Sequence, residues 1–462
     1  MRCKVDLFSG VSMLSKTMLL LKMVLVGFLA FVILVSLFLV DNLISGREQY
    51  RNEAVQSIGA SYASSQRLLG PILVQPYRIT RTEIVPGENG AKRSAARTED
   101  STYMALPQTL NLKGELKPSL RRHGLYSVPV YELDALVTGH FDFPAPPIQE
   151  SGTSTVEFGI PYLAFAVKDA RGLVGQPAIR VNGANYRVDG GSLTTQEKET
   201  INVKPAWGSN LRVLLPPAAG KAGSYDVQLE LALAGTQKLE LVPIADINHF
   251  ELKSSWSEPL FGGAELPRER TISSAGFNAV WDISSLASAT QSQMMNNNDK
   301  MDTIDISLAQ TVDAYTLSDR AVKYGILFVL LTFGGFFLFE IVKQMQIHPV
   351  QYLLVGFCLA VFFLLLVSFS EHMSFGLAYV VSSTACIGLL TYYLAFVLQS
   401  RMYGLSFGGI LTTLYAAIYG LLISEDNALL LGSLLLFGLI ALVMISTRKV
   451  NWYERTEVLA KQ

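Results

Sequence analysis

From Tyr324 to Ile445 the chain is apolar almost without interruption. Only short polar stretches break the run: KQMQIHP (343–349), SEHMS (370–374), SEDN (424–427) and a softer QSRMYG (399–404). The blocks between them are about 17 to 24 residues long, which at 1.5 Å per residue matches a hydrocarbon core of roughly 30 Å. A further apolar run covers Met18–Val40, with Lys22 near its start. A secretory signal peptide has a shorter apolar core and a small-x-small cleavage site. The stretch from Met23 ends instead in SLFLVDN, so it reads as an uncleaved signal-anchor whose Lys22 snorkels to the interface. The pattern predicts six crossings, at 18–40, 323–343, 350–370, 375–398, 405–423 and 428–446.

The long polar region between the first two crossings follows another rhythm. Residues 44–68 are polar and helix-like, predicting an outward continuation of the first membrane helix that Gly70-Pro71 stops. Beyond lies the two-residue alternation of half-buried strands, clearest at 126–141, 225–241 and 304–317. Turn signals separate the strands, and no long amphipathic helix intervenes. The expected fold is a multi-pass membrane protein. Six transmembrane helices carry a large, mainly β, antiparallel sandwich-like domain inserted between helices 1 and 2, as one sandwich or two. Residues 86–101 and 284–303 are expected as long loops. The expected divisions are 1–40 (N-terminus and first helix), 41–318 (β-rich domain with a helical lead-in), 319–446 (five-helix bundle) and 447–462 (tail).

Charge gives the orientation. A net charge of −1 with 16% charged residues averages two unlike halves and offers no basic patch for nucleic acid. Arg2, Lys4 and Lys16, then Lys343, Arg401, and finally Arg448, Lys449, Arg455 and Lys461 all fall on one side of the six crossings. The opposite short loops hold Glu371, Glu425 and Asp426 without Lys or Arg. Both termini are therefore expected in the cytoplasm, and the long domain outside, which in a bacterium is the periplasm. None of the three cysteines, Cys3, Cys358 and Cys386, lies in that domain, so it is expected to have no disulfide. Cys358 and Cys386 read as small core residues.

Candidate chemistry is sparse. Gly404-Leu405-Ser406-Phe407-Gly408 matches G-x-S-x-G, but that nucleophile pattern needs a strand-turn-helix elbow. Here it opens a membrane helix, where small residues permit close packing. The sequence holds no HExxH, P-loop or G-x-G-x-x-G, so no catalytic, metal-binding or cofactor residue is assigned. The one suggestive cluster is a layer of charge at the periplasmic mouth of the bundle: Asp319, Arg320, Lys323, Glu371, His372, Glu425 and Asp426. It is expected to couple the β domain to the helices, with Arg320 as anchor. No Asp, Glu, Lys, Arg or His falls at mid-membrane in crossings two to six, with Glu340 near the cytoplasmic end, which weighs against an ion-coupled transporter. Tyr392, Tyr393, Tyr415 and Tyr419 are expected to pack or to sit at the interface.

Longer strings carry a family likeness. DRAVKYGILFVLLTFGGFFLFE (319–340) is followed by HPVQYLLVGFCLAVFFLLLVSFSEHMSFGLAY (348–379), EDNALLLGSLLLF (425–437) and TRKVNWYE (447–454). The β region adds LLGPILVQPY (68–77), RRHGLYSVPVY (121–131), KDARG (168–172), SSWSEPLFGG (254–263) and GFNAVW (276–281). In order and spacing these resemble the CreD family of bacterial inner-membrane proteins over nearly the whole chain. The resemblance implies a role in cell-envelope integrity and a two-component stress response, and supplies no catalytic residue. Within these strings Pro349 suits a helix start, Gly334, Gly335 and Gly356 suit close helix contact, Trp452 and Tyr453 suit an interface belt, and Gly70 and Gly172 suit turns.

The leading expectation is a non-enzymatic envelope protein whose partners are the lipid bilayer and an envelope component or protein. A transporter or flippase, and a membrane-bound hydrolase using His372, are the alternatives.

Overall fold

The computed structural model describes residues 5–86, 92–144, 154–190, 209–216, 222–296, 301–308, 314–343, 347–424 and 428–448. Glu425, Asp426, Trp452 and Tyr453, and most of the terminal basic residues, lie outside that set. The chain forms two compact units: Met1–Tyr50 with Val312–Gln462, and Arg51–Thr311. The helices are α1 (Val5–Ser61), a short α2 (Thr290–Met295), α3 (Ala314–Lys343), α4 (Pro349–Ser370), α5 (Phe375–Val397), α6 (Arg401–Ile423) and α7 (Ala428–Thr447).

Among the described residues, five helices are long and apolar enough to cross a membrane: α4, α5, α6, Val24–Ser61 of α1 and Ala314–Phe337 of α3. In α1, Leu29, Ile33, Leu37, Val40 and Ile44 form a buried stripe at helical spacing. Phe28, Phe31, Phe38 and Leu39 on its other faces are about 60% exposed, as expected of a surface that meets lipid. Gly325 and Gly356 let this stripe approach: a Cβ on Gly325 would lie 2.9 Å from Leu37 Cδ1, and one on Gly356 2.8 Å from Ile33 Cδ1. Among the described residues, nothing lies within 4 Å of a Cβ built on Gly334 or Gly335, so neither makes the close helix contact expected of it there. Phe328, Phe362, Phe363, Tyr379 and Tyr415 interlock edge to face at the bundle centre, with Phe328 and Tyr415 centroids 4.5 Å apart. Tyr415 and Tyr419 therefore pack, while Tyr392 is 66% exposed. At the start of α4, His348 Nδ1 accepts the Val350 N–H and Gln351 Oε1 accepts the His348 N–H, with Pro349 in the first turn.

Two helix boundaries differ from the sequence reading. α1 stops at Ser61, well before Gly70-Pro71. The Ala60 carbonyl accepts from Arg171 Nη1, and the Ser64 N–H donates to Asp169 Oδ2 at 3.0 Å. Asp169 also accepts from Arg171 Nη2 at 2.7 Å, and that pairing holds its carboxyl well below the usual carboxylate range. The KDARG string thus closes the helix from a distance. Gly70-Pro71 instead lies inside a strand, where the register shifts between Leu69 and Ile72. Gly70 has φ +104°, and a Cβ there would lie 2.9 Å from the Phe165 backbone. At the other boundary, the strand expected at 304–317 covers only Ile304–Ser307, and α3 already begins at Ala314. Tyr315, Leu317, Ser318, Ala321 and Val322 are buried along its first turns, so the apparent alternation of the sequence here belongs to a helix.

The second unit carries the strands. In chain order these are β1 (Gln66–Pro86), β2 (Lys92–Ala105), β3 (Thr109–His123), β4 (Tyr126–Phe143), β5 (Ser154–Phe158), β6 (Tyr162–Val167), β7 (Leu173–Val181) and β8 (Ala184–Tyr186). They continue with β9 (Asp189–Gly190), β10 (Ser209–Leu214), β11 (Gly223–Thr236), β12 (Lys238–Leu241), β13 (Ile247–Ser254), β14 (Leu260–Gly263), β15 (Glu269–Ser273), β16 (Gly276–Ser284) and β17 (Ile304–Ser307). One sheet runs β14-β17-β12-β1-β6-β10-β9, with β2 and β5 also on β1; the other runs β15-β16-β13-β3-β4-β11-β7-β8. A single apolar core takes residues from both sheets, including Tyr131, Phe141, Phe165, Phe250 and Trp281, all at most 1% exposed. The unit is one sandwich. Its sheets are mixed, not purely antiparallel, because β1 pairs β12 and β3 pairs β13 in parallel. Gln237, at φ +60°, turns the chain from β11 in one sheet to β12 in the other.

Both predicted loops contain regular structure among their described residues. Residues 92–105 form β2, paired with β1 from Leu73↔Ala105 out to Pro86↔Lys92. Its residues are mostly exposed, so no alternation marks it as a strand. Within 284–303, α2 buries Thr290 and Met294, and Gln293 exchanges hydrogen bonds with Asp302.

Candidate functional site

Two ion pairs are described in the layer of charge expected at the end of the bundle. Lys323 Nζ lies 2.7 Å from Asp319 Oδ2, one turn away on α3. Glu371, at the C-terminal end of α4, has its side chain 9% exposed and 3.3 Å from Arg47 Nε. The Tyr315 hydroxyl donates to the same Oε1 at 3.2 Å. A carboxylate is unfavourable at a helix C-terminus, and the Arg47 cation offsets that field. Arg47 was absent from the sequence-based cluster. The signal for it was available: once 44–61 continues the first membrane helix, Arg47 falls just beyond that span. Arg320 is half-buried on α3, His372 is exposed, and Glu425 and Asp426 lie outside the described residues.

The G-x-S-x-G segment lies inside α6 as a packing element. A Cβ on Gly404 would come within 2.8 Å of Ala395 Cβ, and one on Gly408 within 3.1 Å of Thr391 Cγ2. Ser406 Oγ donates to the Met402 carbonyl at 2.9 Å. Among the described residues, no group of three or more His, Cys, Asp or Glu is placed to hold a metal ion.

The sequence reading missed a polar face on the β unit. The outward side chains of the eight-stranded sheet fall into rows across the strands, because paired residues point the same way. One row reads Asp282, His249, Asn111, Thr138, Gln228 and Arg180, on β16, β13, β3, β4, β11 and β7. Asn185 on β8 extends it, accepting from Arg180 Nε at 3.2 Å. With strands roughly 4.8 Å apart, these seven positions span about 29 Å. The ends of the row are tied down, as by His249 Nδ1 2.6 Å from Asp282 Oδ1. In the middle, the side chains of Asn111 and Thr138 take no protein partner among the described residues.

This face is hollowed in two places. A 320 Å³ depression is lined by Asn111, Thr138, His140, Arg180, Asp226 and Gln228, among others. A 710 Å³ depression lies over Leu136, Ala178 and Ala232, with Lys113, Glu230 and Glu251 around it. Small outward residues on β7 and β11 make the floor, and long charged ones make the walls. His140 Nδ1 is 2.7 Å from Asp226 Oδ1, a hydrogen bond that raises the imidazole above its ordinary pKa. Other charges pair across strands: Lys113 with Glu251 at 3.7 Å, and Lys117 with Asp134 at 2.5 Å.

The family profile described as "Inner membrane protein CreD" matches residues 18–453. The chain belongs to the CreD family. The Inner membrane protein CreD of Escherichia coli (strain K12) is 31% identical over 425 residues, 91% of each chain. That CreD relative is named as an inner membrane protein, and the several apolar helices here agree with the description. Among solved structures, an M1 zinc metallopeptidase from Deinococcus radiodurans is similar over 44% of this chain and 42% of its own, at 9% identity and a TM-score of 0.22. So slight a likeness carries no argument.

Proposed function

We propose that this CreD-family protein is a non-enzymatic inner-membrane protein that supports envelope integrity by binding an envelope component on its β unit. In this reading α7 is the sixth crossing helix, both termini are cytoplasmic, and the β unit stands in the periplasm. The charge asymmetry of the sequence supports that orientation. Active periplasmic reporters fused at residue 200 and active cytoplasmic reporters at 345 test it, and the reverse pattern overturns it.

The observation that carries the binding reading is the hollowed polar row through Asn111, Thr138 and Gln228. Amide and hydroxyl side chains both donate and accept, as sugar hydroxyls do. The neighbouring charges are mostly paired with one another, which leaves little net field for an ionic ligand. The fitting partner is a polyhydroxylated chain laid across the strands. Titration of the full-length protein in nanodiscs with neutral oligosaccharides tests this. Saturable binding that weakens at least tenfold in Asn111→Ala/Thr138→Val supports it, and binding unaffected by those changes contradicts it.

A further inference from the structure

The bundle holds a pair of thiols that the envelope reading does not use. Cys358 lies near the middle of α4 and Cys386 near the middle of α5. Their sulfurs are 3.3 Å apart, and Cys386 Sγ also lies 3.6 Å from the Cys358 carbonyl oxygen. From a third helix, the Tyr415 hydroxyl donates to Cys386 Sγ at 3.2 Å. Cys386 is 4% exposed, whereas Cys358 is only partly buried beside Leu354, Phe357 and Val361, each more than 40% exposed on the outer surface of α4. One sulfur is thus buried and oriented, and its partner borders the lipid-facing surface.

We infer that Cys358 and Cys386 form a redox-modification site inside the bilayer, oxidised from dithiol to disulfide by a quinone dissolved in the same hydrocarbon layer. A disulfide needs its sulfurs at 2.03–2.05 Å, so the pair must close by about 1.2 Å. The chemistry suits the medium. Water-borne oxidants act on a thiolate, and charge is costly to create in hydrocarbon. A quinone avoids that cost. Two S–H bonds break and one S–S bond forms, and the two electrons and two protons pass to the quinone oxygens to give the quinol. No net charge is left behind. The Tyr415 hydroxyl holds Cys386 Sγ in place beside its partner. The product ties α4 to α5 across a 28-residue separation.

The test uses the full-length protein in membranes, first reduced and then exposed to a fully substituted benzoquinone, which offers thiols no open ring carbon. The chain is then denatured with a polymer-linked maleimide, and adducts are counted. The sequence has three cysteines, so the reduced parent takes three adducts and the oxidised parent should take one. A thiol reductant should restore three, and one quinol should appear per chain. Cys358→Ser and Cys386→Ser should each keep two adducts with or without quinone. Cys358→Ala and Cys386→Ala replace them if serine disturbs the bundle, which a changed protease pattern would reveal. Three adducts persisting in the quinone-treated parent overturns the inference. So does an equal loss of adducts in the single variants, which would place the reaction at Cys3 or between chains.

Discussion

Arg47 Nε lies 3.3 Å from Glu371 Oε1, and so ties α1 to the end of α4. Arg47 is 40% exposed and Glu371 only 9%, so the carboxylate depends on its partner more than the guanidinium does. Replacing Arg47 with Ala should cost about 1–2 kcal/mol, well below a fully buried pair because of that exposure. Thermal unfolding in detergent measures it. Arg47→Glu should be worse, and adding Glu371→Arg should recover most of the loss. A double variant no better than the single one would deny the pairing.

The GLSFG segment predicts a sharp contrast between neighbouring glycines. Gly408→Leu should destabilise the bundle by about 1–3 kcal/mol, the usual cost of overpacking, because its Cβ already meets Thr391. Gly409→Leu should be tolerated, with nothing among the described residues within 4 Å of its Cβ. Ser406→Ala should leave both stability and envelope phenotype unchanged. Melting temperatures of the three variants side by side check the contrast.

Asp169 and Arg171 predict a local weakness at low pH. The carboxyl pKa is depressed in the fold, chiefly by Arg171, so its contribution is present above the ordinary carboxyl value of about 3.9 and is lost as pH falls through the folded value. Asp169→Ala should cost about 2 kcal/mol, the scale of a lost charged hydrogen bond. Limited proteolysis should then cut near residues 60–66, where the helix end is held.

His140 has the opposite sign. Its pKa is raised by Asp226, so the stabilisation is complete below about pH 6.5 and fades as pH rises through the folded value. The parent should outlast Asp226→Asn in thermal unfolding at pH 6, and the gap should narrow by pH 9. A gap that widens with pH would reverse the assignment.

How much could be read from the sequence follows from what each feature depends on. The membrane helices rest on length and hydropathy, both local, and Pro349 marked the start of α4. The core strands β4 and β11 alternate and were visible. β2 was read as a loop because most of it is exposed on both faces, and only pairing with β1 makes it a strand. Gly70-Pro71 looked like a stop signal, whereas the actual stop is supplied by Asp169 and Arg171, more than 100 residues away. The polar row was illegible for the same reason. Asn111, Thr138, Gln228 and His249 become neighbours only once the strand order and register are fixed. Cys358 and Cys386 were read as small core residues, since nothing in their separate helices shows that the two sulfurs meet.

The most direct test of the binding face is site-specific photo-crosslinking in intact cells. A photoreactive residue at Thr138 sits in the polar hollow, and one at the exposed Thr98 on β2 serves as control. The account predicts that position 138 captures a polyhydroxylated envelope component, shown by an adduct that glycan-cleaving enzymes collapse, and that position 98 does not. Capture of protein alone at 138, no capture there, or equal capture of glycan at 98 would contradict it.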